Sequence, residues 1–431
     1  MKEFFSHRPT ARACHIVRAL QQGAKLDKIS FHTPGHKRPK WDVTELSYSD
    51  CLASPEGCIL RAQKDVERIV GAEASEFLTD GSTSGVYALI YLLKEKGVKR
   101  LALSPFSHIS AFRACALCGL EPVLIEGQSA LSQPTAAQME EALVRADALL
   151  LTSPNYYGKI ADLAAARQAC DRQNKPLVVD GAHGGHLHGH PKKYAGSYAD
   201  GWVDGVHKSM PAMTQAALVS VSRRDWVDDF RIVVPLFRTT SPSYPVMASI
   251  EYAYKYPQNA LLEAQVEAFF REEKERLLQG EDWTKVGAWF GDKAYAASVW
   301  FESQGIYPEF CDGKYLLFYL SSATRAKDFA TLKNKLKKAF ALFPAEGEKE
   351  ELPPTMVAVK GKTEWVEIEK AVGRVAASSF GLFPPCLPLA TAGQKIDEDV
   401  VRRLRDGKHL FGVTDGKIEV YEKGEKICEG N

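Results

Sequence analysis

The sequence predicts an α/β protein in which a three-layer α/β/α large domain is followed by a smaller C-terminal α/β domain. Three observations predict it. Between Leu46 and Arg223 short apolar runs alternate with helix-length segments. The runs are apolar throughout rather than at every second residue, as strands buried on both faces of a mostly parallel sheet are. A strand and helix pattern then resumes beyond a long helical stretch. The 431 residues leave room for two or three domains at about 150 residues each. A hydrophobic content of 45% fills a sizeable core and excludes intrinsic disorder.

Taken in order, residues 1–45 read as an N-terminal arm whose amphipathic pattern, Ala11 to Gln22, gathers Ile16, Val17 and Leu20 on one face. Residues 46–284 form the large domain, with strand candidates Leu101–Leu103, Pro122–Ile125, Ala148–Leu151, Pro176–Val179 and Ala216–Val219. A helix predicted from Asn259 to Gln279 carries Leu262, Val266, Phe269, Phe270 and Leu277 on one stripe and stops at Gly280, bridging to the small domain. Residues 285–431 form that small domain: strand candidates Tyr315–Leu320 and Met356–Val359 flank the amphipathic helix Asp328–Phe340, and Glu346 to Glu351 is a polar loop between its halves.

Charge narrows the function classes. With 55 Lys and Arg against 54 Asp and Glu, no global field exists to hold a nucleic acid or a membrane surface. No run approaches the ~18 apolar residues of a membrane span. The opening Met1 to Arg8 is charged where a secretory segment is apolar, so a cytoplasmic protein is expected. Nine scattered cysteines, Cys14, Cys51, Cys58, Cys115, Cys118, Cys170, Cys311, Cys386 and Cys428, read as reduced thiols in a chain of this size. Cys115 and Cys118 fall in an apolar helix and read as structural.

Three features carry chemistry. Gly81-Ser82-Thr83-Ser84-Gly85 precedes the apolar helical run Val86 to Leu93; glycines permit close approach to an anion, hydroxyls donate to it, and a helix N-terminus aims free N–H groups at it. It is a phosphate site or a plain capped turn, and neither a Walker loop nor a dinucleotide fingerprint. Asp180 ends the strand candidate Pro176–Val179, where open α/β sheets bind ligands, or else caps the following turn. Lys208, after a later apolar segment, is a turn lysine or, if desolvated, an imine-forming nucleophile. His183, His186, His188 and His190 lack a ligand pattern for a metal, and no metal is expected. Phosphate loop, strand-end carboxylate and lysine in that chain order are the three groups pyridoxal phosphate needs, for its phosphate, its pyridinium nitrogen and its aldehyde.

The residues also resemble a family, the bacterial ornithine/lysine/arginine decarboxylases of the aspartate-aminotransferase-like fold, fold type I of the pyridoxal-phosphate enzymes. The resemblance rests on Phe31-His32-Thr33-Pro34-Gly35-His36-Lys37, Asp42 to Leu46, Gly81 to Gly85, Ser153 to Gly158, Asp180 to His183, His207-Lys208, Thr239 to Pro245, Met247 to Ser249, Gly373 to Val375 and Phe383 to Pro388, nearly the whole chain. It implies Lys208 as the Schiff-base lysine, Asp180 as partner of the pyridinium nitrogen, and His108 as an imidazole stacked on the cofactor ring. Ser82, Thr83 and Ser84 would hold the phosphate, and His183 and His207 would flank the ring. Thr239, Thr240 and Ser241 would reach the phosphate of a neighbouring subunit, making a homodimer with shared active sites the minimal unit. The implied reaction converts a basic amino acid, lysine, ornithine or arginine, to its amine and carbon dioxide, in polyamine metabolism or acid resistance. Since the signature begins at Phe31, the receiver-like N-terminal wing of the large inducible enzymes has no room, and a decamer built through it is not expected.

The chain departs from the pattern at four places: Gly205 replaces a serine before the lysine, Gly181 and Gln394 replace glutamates, and Cys386 replaces a glycine. A basic substrate is normally met by acidic groups, and two of them are gone. The alternatives are an aminotransferase or lyase using Arg374 for the substrate carboxylate, a cofactor-binding homologue without turnover, and an α/β binding module without cofactor.

Overall fold

A computed structural model of the chain describes residues 3–423 except 27, 38–39, 346–360, 379, 383–386, 391–392 and 407–409. Its centre is a seven-stranded sheet of β1 (Ala74–Leu78), β2 (Arg100–Leu103), β3 (Glu121–Leu124), β4 (Ala148–Thr152), β5 (Leu177–Gly181), β6 (Gly201–Asp204) and β7 (Ala217–Val221), in the order β1-β7-β6-β5-β4-β2-β3. Strands β3, β2, β4, β5 and β6 pair in parallel. Strand β7 runs against both its neighbours, β6 and β1. The sheet is mixed but mostly parallel, with helices on both faces, as the apolar runs predict.

Because successive side chains point to opposite faces, each central strand feeds two cores. Leu149, Leu151, Val179, Trp202 and Leu218 enter one, with Val66 and Tyr244 from covering helices. Leu150, Val178, Val203 and Val219 enter the other, with Leu89 and Phe112. The five predicted strands fall on β2, β3, β4, β5 and β7. Strands β1 and β6 were not predicted, because polar residues interrupt them. Glu76 pairs with Arg238, and Asp204 is fully buried and accepts from the Tyr194 and Tyr254 hydroxyls at 2.7 and 2.8 Å.

The predicted N-terminal helix is divided into Arg8–Ala13 and His15–Gly23. The division has a cause: the Glu251 carboxylate accepts the backbone N–H groups of His15 (2.6 Å) and Ile16 (2.9 Å), creating a second helix N-terminus. Lys255, 2.8 Å from Glu251 and 2.5 Å from Asp65, supplies the countercharge. The predicted bridging helix is shorter than expected, spanning Ala260–Glu272. It ends early because Leu277 and Leu278 leave helical geometry to pair with the next sheet, the Leu278 N–H donating to the Gly287 carbonyl at 2.8 Å.

That sheet holds β8 (Lys285–Trp289), β9 (Phe310–Cys311) and β10 (Tyr315–Tyr319) in antiparallel order β8-β10-β9. Phe269, Phe290, Phe301, Phe318 and Leu336 fill its core. Strand β10 matches the predicted Tyr315–Leu320, and the predicted helix lies within Ala326–Leu342. A further unit with its own core of Ile368, Phe380, Ile396, Ile418 and Val420 contains two small antiparallel sheets. They are built from β11 (Thr363–Glu367), β12 (Phe380–Leu382), β13 (Leu387–Ala390), β14 (Leu410–Phe411), β15 (Val413–Thr414) and β16 (Lys417–Tyr421). The predicted strand Met356–Val359, the loop Glu346–Glu351, Cys386 and Cys428 lie outside the described residues. The remaining seven cysteines are free, and burial pushes the Cys115 thiol up to about 12. Among the described residues no helix is long and apolar enough to cross a membrane.

Candidate active site

A cavity of about 390 Å³ opens at the carboxyl ends of β4, β5 and β6, where a parallel sheet leaves its strand ends and loops free to bind ligands. Gly81, Ser82, Thr83, His108, Asp180, His183, His207 and Lys208 all line it, with Thr152, Tyr156 and Gln215 between them. Residues as far apart in the chain as Gly81 and Gln215 are thus brought together by sheet order.

At the floor, Asp180 is the last but one residue of β5 and is 3% exposed. One of its oxygens accepts the Ala182 N–H at 3.1 Å. Lys208 lies in the single helical turn Val206–Ser209, between β6 and β7. Its Nζ is 3.3 Å from Nε2 of His183. Burial is the chief cause lowering the Lys208 pKa, opposed by the negative charges of Asp180 and Glu309. Burial likewise drives His183 well below its ordinary value, and the Lys208 and Lys285 charges add to it. His183 is therefore a neutral imidazole, able to accept a hydrogen bond at Nε2 from the lysine. Its Nδ1 is buried without a hydrogen-bond partner. His207 is held by its Nδ1 contact to the Ala216 carbonyl at 3.1 Å. His108 caps the helix Ile109–Cys118, its Nδ1 accepting the Ser110 N–H at 3.2 Å.

The loop at the other end of the cavity begins with Gly81, whose φ of +89° favours glycine. The helix Ser82–Glu95 starts directly after it, so the first-turn N–H groups are free of helical partners. Ser84 does not line the cavity; its hydroxyl donates to the Gly81 carbonyl at 2.8 Å. Thr239, Thr240 and Ser241 do not line it either. They are exposed beside it, with the Thr239 N–H donating to the Asp80 carboxylate at 2.9 Å.

Two of the departures from the family pattern are steric. A Cβ on Gly205 would come within 2.3 Å of the Ala182 carbonyl oxygen, and one on Gly181 within 2.9 Å of the Val203 carbonyl oxygen. Neither a serine nor a glutamate fits this backbone. Gln394 lies in the C-terminal unit, its carbonyl accepting the Ala376 N–H at 2.9 Å. Arg374 is engaged there too, with Glu364 at 2.5 Å and the Tyr421 carbonyl at 2.6 Å. The histidines after His183 diverge: His186 binds Asp282 at 2.9 Å, His188 the Gly185 carbonyl at 2.9 Å, and His190 lies 3.5 Å from Glu263.

Sequence reasoning missed the far wall. The ring of Tyr156 stands edge-on to His183 at 5.2 Å and to Phe310 at 5.4 Å, and its hydroxyl donates to Glu309 at 3.0 Å. Behind it Lys285 is fully buried, with Nζ 2.9 Å from the Thr284 hydroxyl, 3.7 Å from Asp282 and 4.2 Å above the Tyr319 ring. The Tyr156–Glu309 contact joins residues 153 apart, and no local signal marks it; only Ser153-Pro154-Asn155-Tyr156-Tyr157-Gly158, as a motif, pointed to Tyr156.

Comparison with known proteins decides the family. The model of the Orn/Lys/Arg decarboxylase major domain matches residues 39–275, more than half of the chain. The chain belongs to this decarboxylase family. Its relatives include the uncharacterized protein YaaO of Bacillus subtilis, 28% identical over 95% of this chain and 97% of its own. The arginine decarboxylase of Bacillus anthracis is 26% identical over 90% of this chain and 92% of its own. The constitutive lysine decarboxylase of Escherichia coli superposes with a TM-score of 0.66 at 19% identity, covering 94% of this chain and 82% of that one. An SPT solved with PLP superposes at 0.57 and 14% identity, covering 76% and 84%. Those two likenesses establish the fold, that of the fold type I enzymes of pyridoxal phosphate, and the family makes the decarboxylase an enzyme of that class.

Proposed function

We propose that this decarboxylase binds pyridoxal 5'-phosphate in the cavity and converts a basic amino acid, arginine, lysine or ornithine, to its amine and carbon dioxide. The observation that carries the reading is the Lys208–His183 contact beside buried Asp180, in a cavity that ends on the Gly81–Thr83 loop. The residues fit the cofactor. The open loop accepts a phosphate, and Asp180 and the buried, partnerless Thr152 hydroxyl and His183 Nδ1 leave polar capacity in the cavity wall. Arginine leads the substrates to be tested because the Bacillus anthracis relative bears that name.

When bound, pyridoxal phosphate supplies an aldehyde for the amines and a protonated ring that draws electrons from the bond to the substrate carboxylate. The chain's residues do the rest. Ser82 and Thr83 hold the phosphate with N–H and hydroxyl donors, and Asp180 keeps the proton on the ring nitrogen. Lys208, whose pKa burial lowers, is the nucleophile in its free-amine form. His183 accepts its N–H and holds the amine in line, while His108 and His207 bound the space on either side. Once carbon dioxide leaves, Cα needs a proton, and Lys208 delivers it. Thr239, Thr240 and Ser241, exposed next to Asp80, serve the phosphate of a second copy, so the working unit is a homodimer. The cofactor domain covers residues 46–284 and the small domain 285–431, with 1–45 as the arm.

The test is the visible absorption of the protein after addition of pyridoxal phosphate, followed by carbon dioxide release from arginine, lysine and ornithine. A band reduced by borohydride with the label on Lys208, and gas from one substrate, are expected. A band without gas moves the assignment to a silent homologue; absence of the band overturns it.

A further inference from the structure

A basic substrate brings a cation at the end of its side chain, and desolvating that cation without a partner is costly. The packed backbone at Gly181 excludes a carboxylate there, and position 394 carries a neutral amide. Asp180 is buried at the floor, below the reacting carbon. Among the described residues one further anion is felt at the Lys208 amine, that of Glu309.

Glu309 is exposed at the entry to β9, its N–H donating to the Leu317 carbonyl at 2.8 Å. The Tyr156 hydroxyl donates to one of its oxygens at 3.0 Å. A carboxylate offers about four acceptor positions, so capacity remains for a guanidinium or ammonium. Tyr156 itself lines the cavity and touches His183 with its ring. It therefore spans the distance from the reacting end of the site to the carboxylate. Phe310 and Tyr319, at 5.4 and 5.7 Å, complete an aromatic wall along which an alkyl stem would be desolvated.

We propose that Glu309 receives the terminal ammonium or guanidinium of the substrate, and that the ring of Tyr156 carries the aliphatic stem between Lys208 and that carboxylate. The proposal rests on the decarboxylase reading for the position of the reacting carbon. It accounts for a basic substrate although the family's glutamates at 181 and 394 are replaced.

The test compares the wild-type holoenzyme with Glu309→Gln and Glu309→Asp. For the basic amino acid that the wild type turns over, kcat/KM relative to norleucine should fall about tenfold or more in Glu309→Gln, the usual weight of one charge-assisted hydrogen bond, with partial recovery in Glu309→Asp. An unchanged ratio overturns the proposal and leaves the decarboxylase reading standing. Calorimetric titration with agmatine, cadaverine and putrescine supplies a readout without turnover. Amine binding weakened about tenfold in Glu309→Gln supports the proposal even if no carbon dioxide is released. Equal binding to both proteins, or none to the wild type, overturns it. Unaltered visible absorption with pyridoxal phosphate verifies that the variants fold.

Discussion

Nζ of Lys208 and Nε2 of His183 lie 3.3 Å apart, so two bases in a buried wall share one hydrogen bond. Burial is the first cause lowering the pKa of each. A second positive charge there is disfavoured.

Replacing Lys208 with alanine removes the only amine lining the cavity among the described residues. Both the visible band with pyridoxal phosphate and carbon dioxide release should vanish. Retained turnover refutes its assignment as nucleophile.

The free amine is the reactive form of Lys208. Incorporation of pyridoxal phosphate into the cofactor-free protein should therefore rise with pH, with a midpoint below the ordinary lysine value of 10.5. Stopped-flow absorption against pH measures it. A midpoint at or above 10.5 would show that burial does not discharge the amine.

Asp204 and His183 give opposite pH dependences to stability. Burial raises the Asp204 carboxyl from 3.8 to about 6, so between these values the folded chain binds more protons than the unfolded one and stability falls as pH rises. Asp204→Asn should lack this loss, worth about 3 kcal/mol. His183 stays neutral when folded but charges when unfolded, so its contribution is lost as pH falls below 6.5. Urea unfolding from pH 4 to 7 separates the two, and parallel curves for wild type and Asp204→Asn would contradict the first.

Restoring the family's serine at Gly205 forces Cβ against the Ala182 carbonyl. Overpacking of this kind costs about 1–3 kcal/mol, read as a lower Tm. A Gly205→Ser variant as stable as wild type would mean that the strand ends yield.

Asp282 pairs with His186 and Lys285, and all three side chains are essentially buried. Asp282→Ala leaves those bases without their carboxylate and should cost about 3–5 kcal/mol. Combining it with Lys285→Met should recover part of that. A double variant as unstable as the sum of the single changes would rule out the coupling.

Much of the scaffold was legible because burial on two faces writes itself as unbroken apolar runs; Leu149 to Leu151 and Val178-Val179 are such runs. Strands β1 and β6 were hidden by Glu76 and Asp204, polar residues whose partners, Arg238 for the first and the Tyr194 and Tyr254 hydroxyls for the second, lie 162, 10 and 50 positions away. The N-terminal helix break was hidden for a like reason, since its cause is Glu251. The cavity residues Ser82, Thr83, Asp180 and Lys208 were readable because each sits on a local feature, a helix start or a strand end. Glu309 and Lys285 were not, because their meeting with Tyr156 and His183 depends on how the sheet of β8, β9 and β10 faces the large one. Ser84 shows the converse: a motif matched in sequence does not by itself aim a side chain into the cavity.

The reversed direction of β7 governs how the lysine is held. A parallel successor to β6 would need a crossover helix of a dozen residues or more, returning the chain to the opposite end of the sheet. Here β6 ends and β7 begins at the same edge, and the link between them stays at the cavity throughout. Lys208 is anchored at both ends of that link, its own N–H on the Gly205 carbonyl at 3.0 Å and the His207 N–H on the Ala216 carbonyl at 3.2 Å. Little orientational freedom is left for an amine to lose when it engages a carbonyl, so part of the entropic cost of the encounter is met at folding.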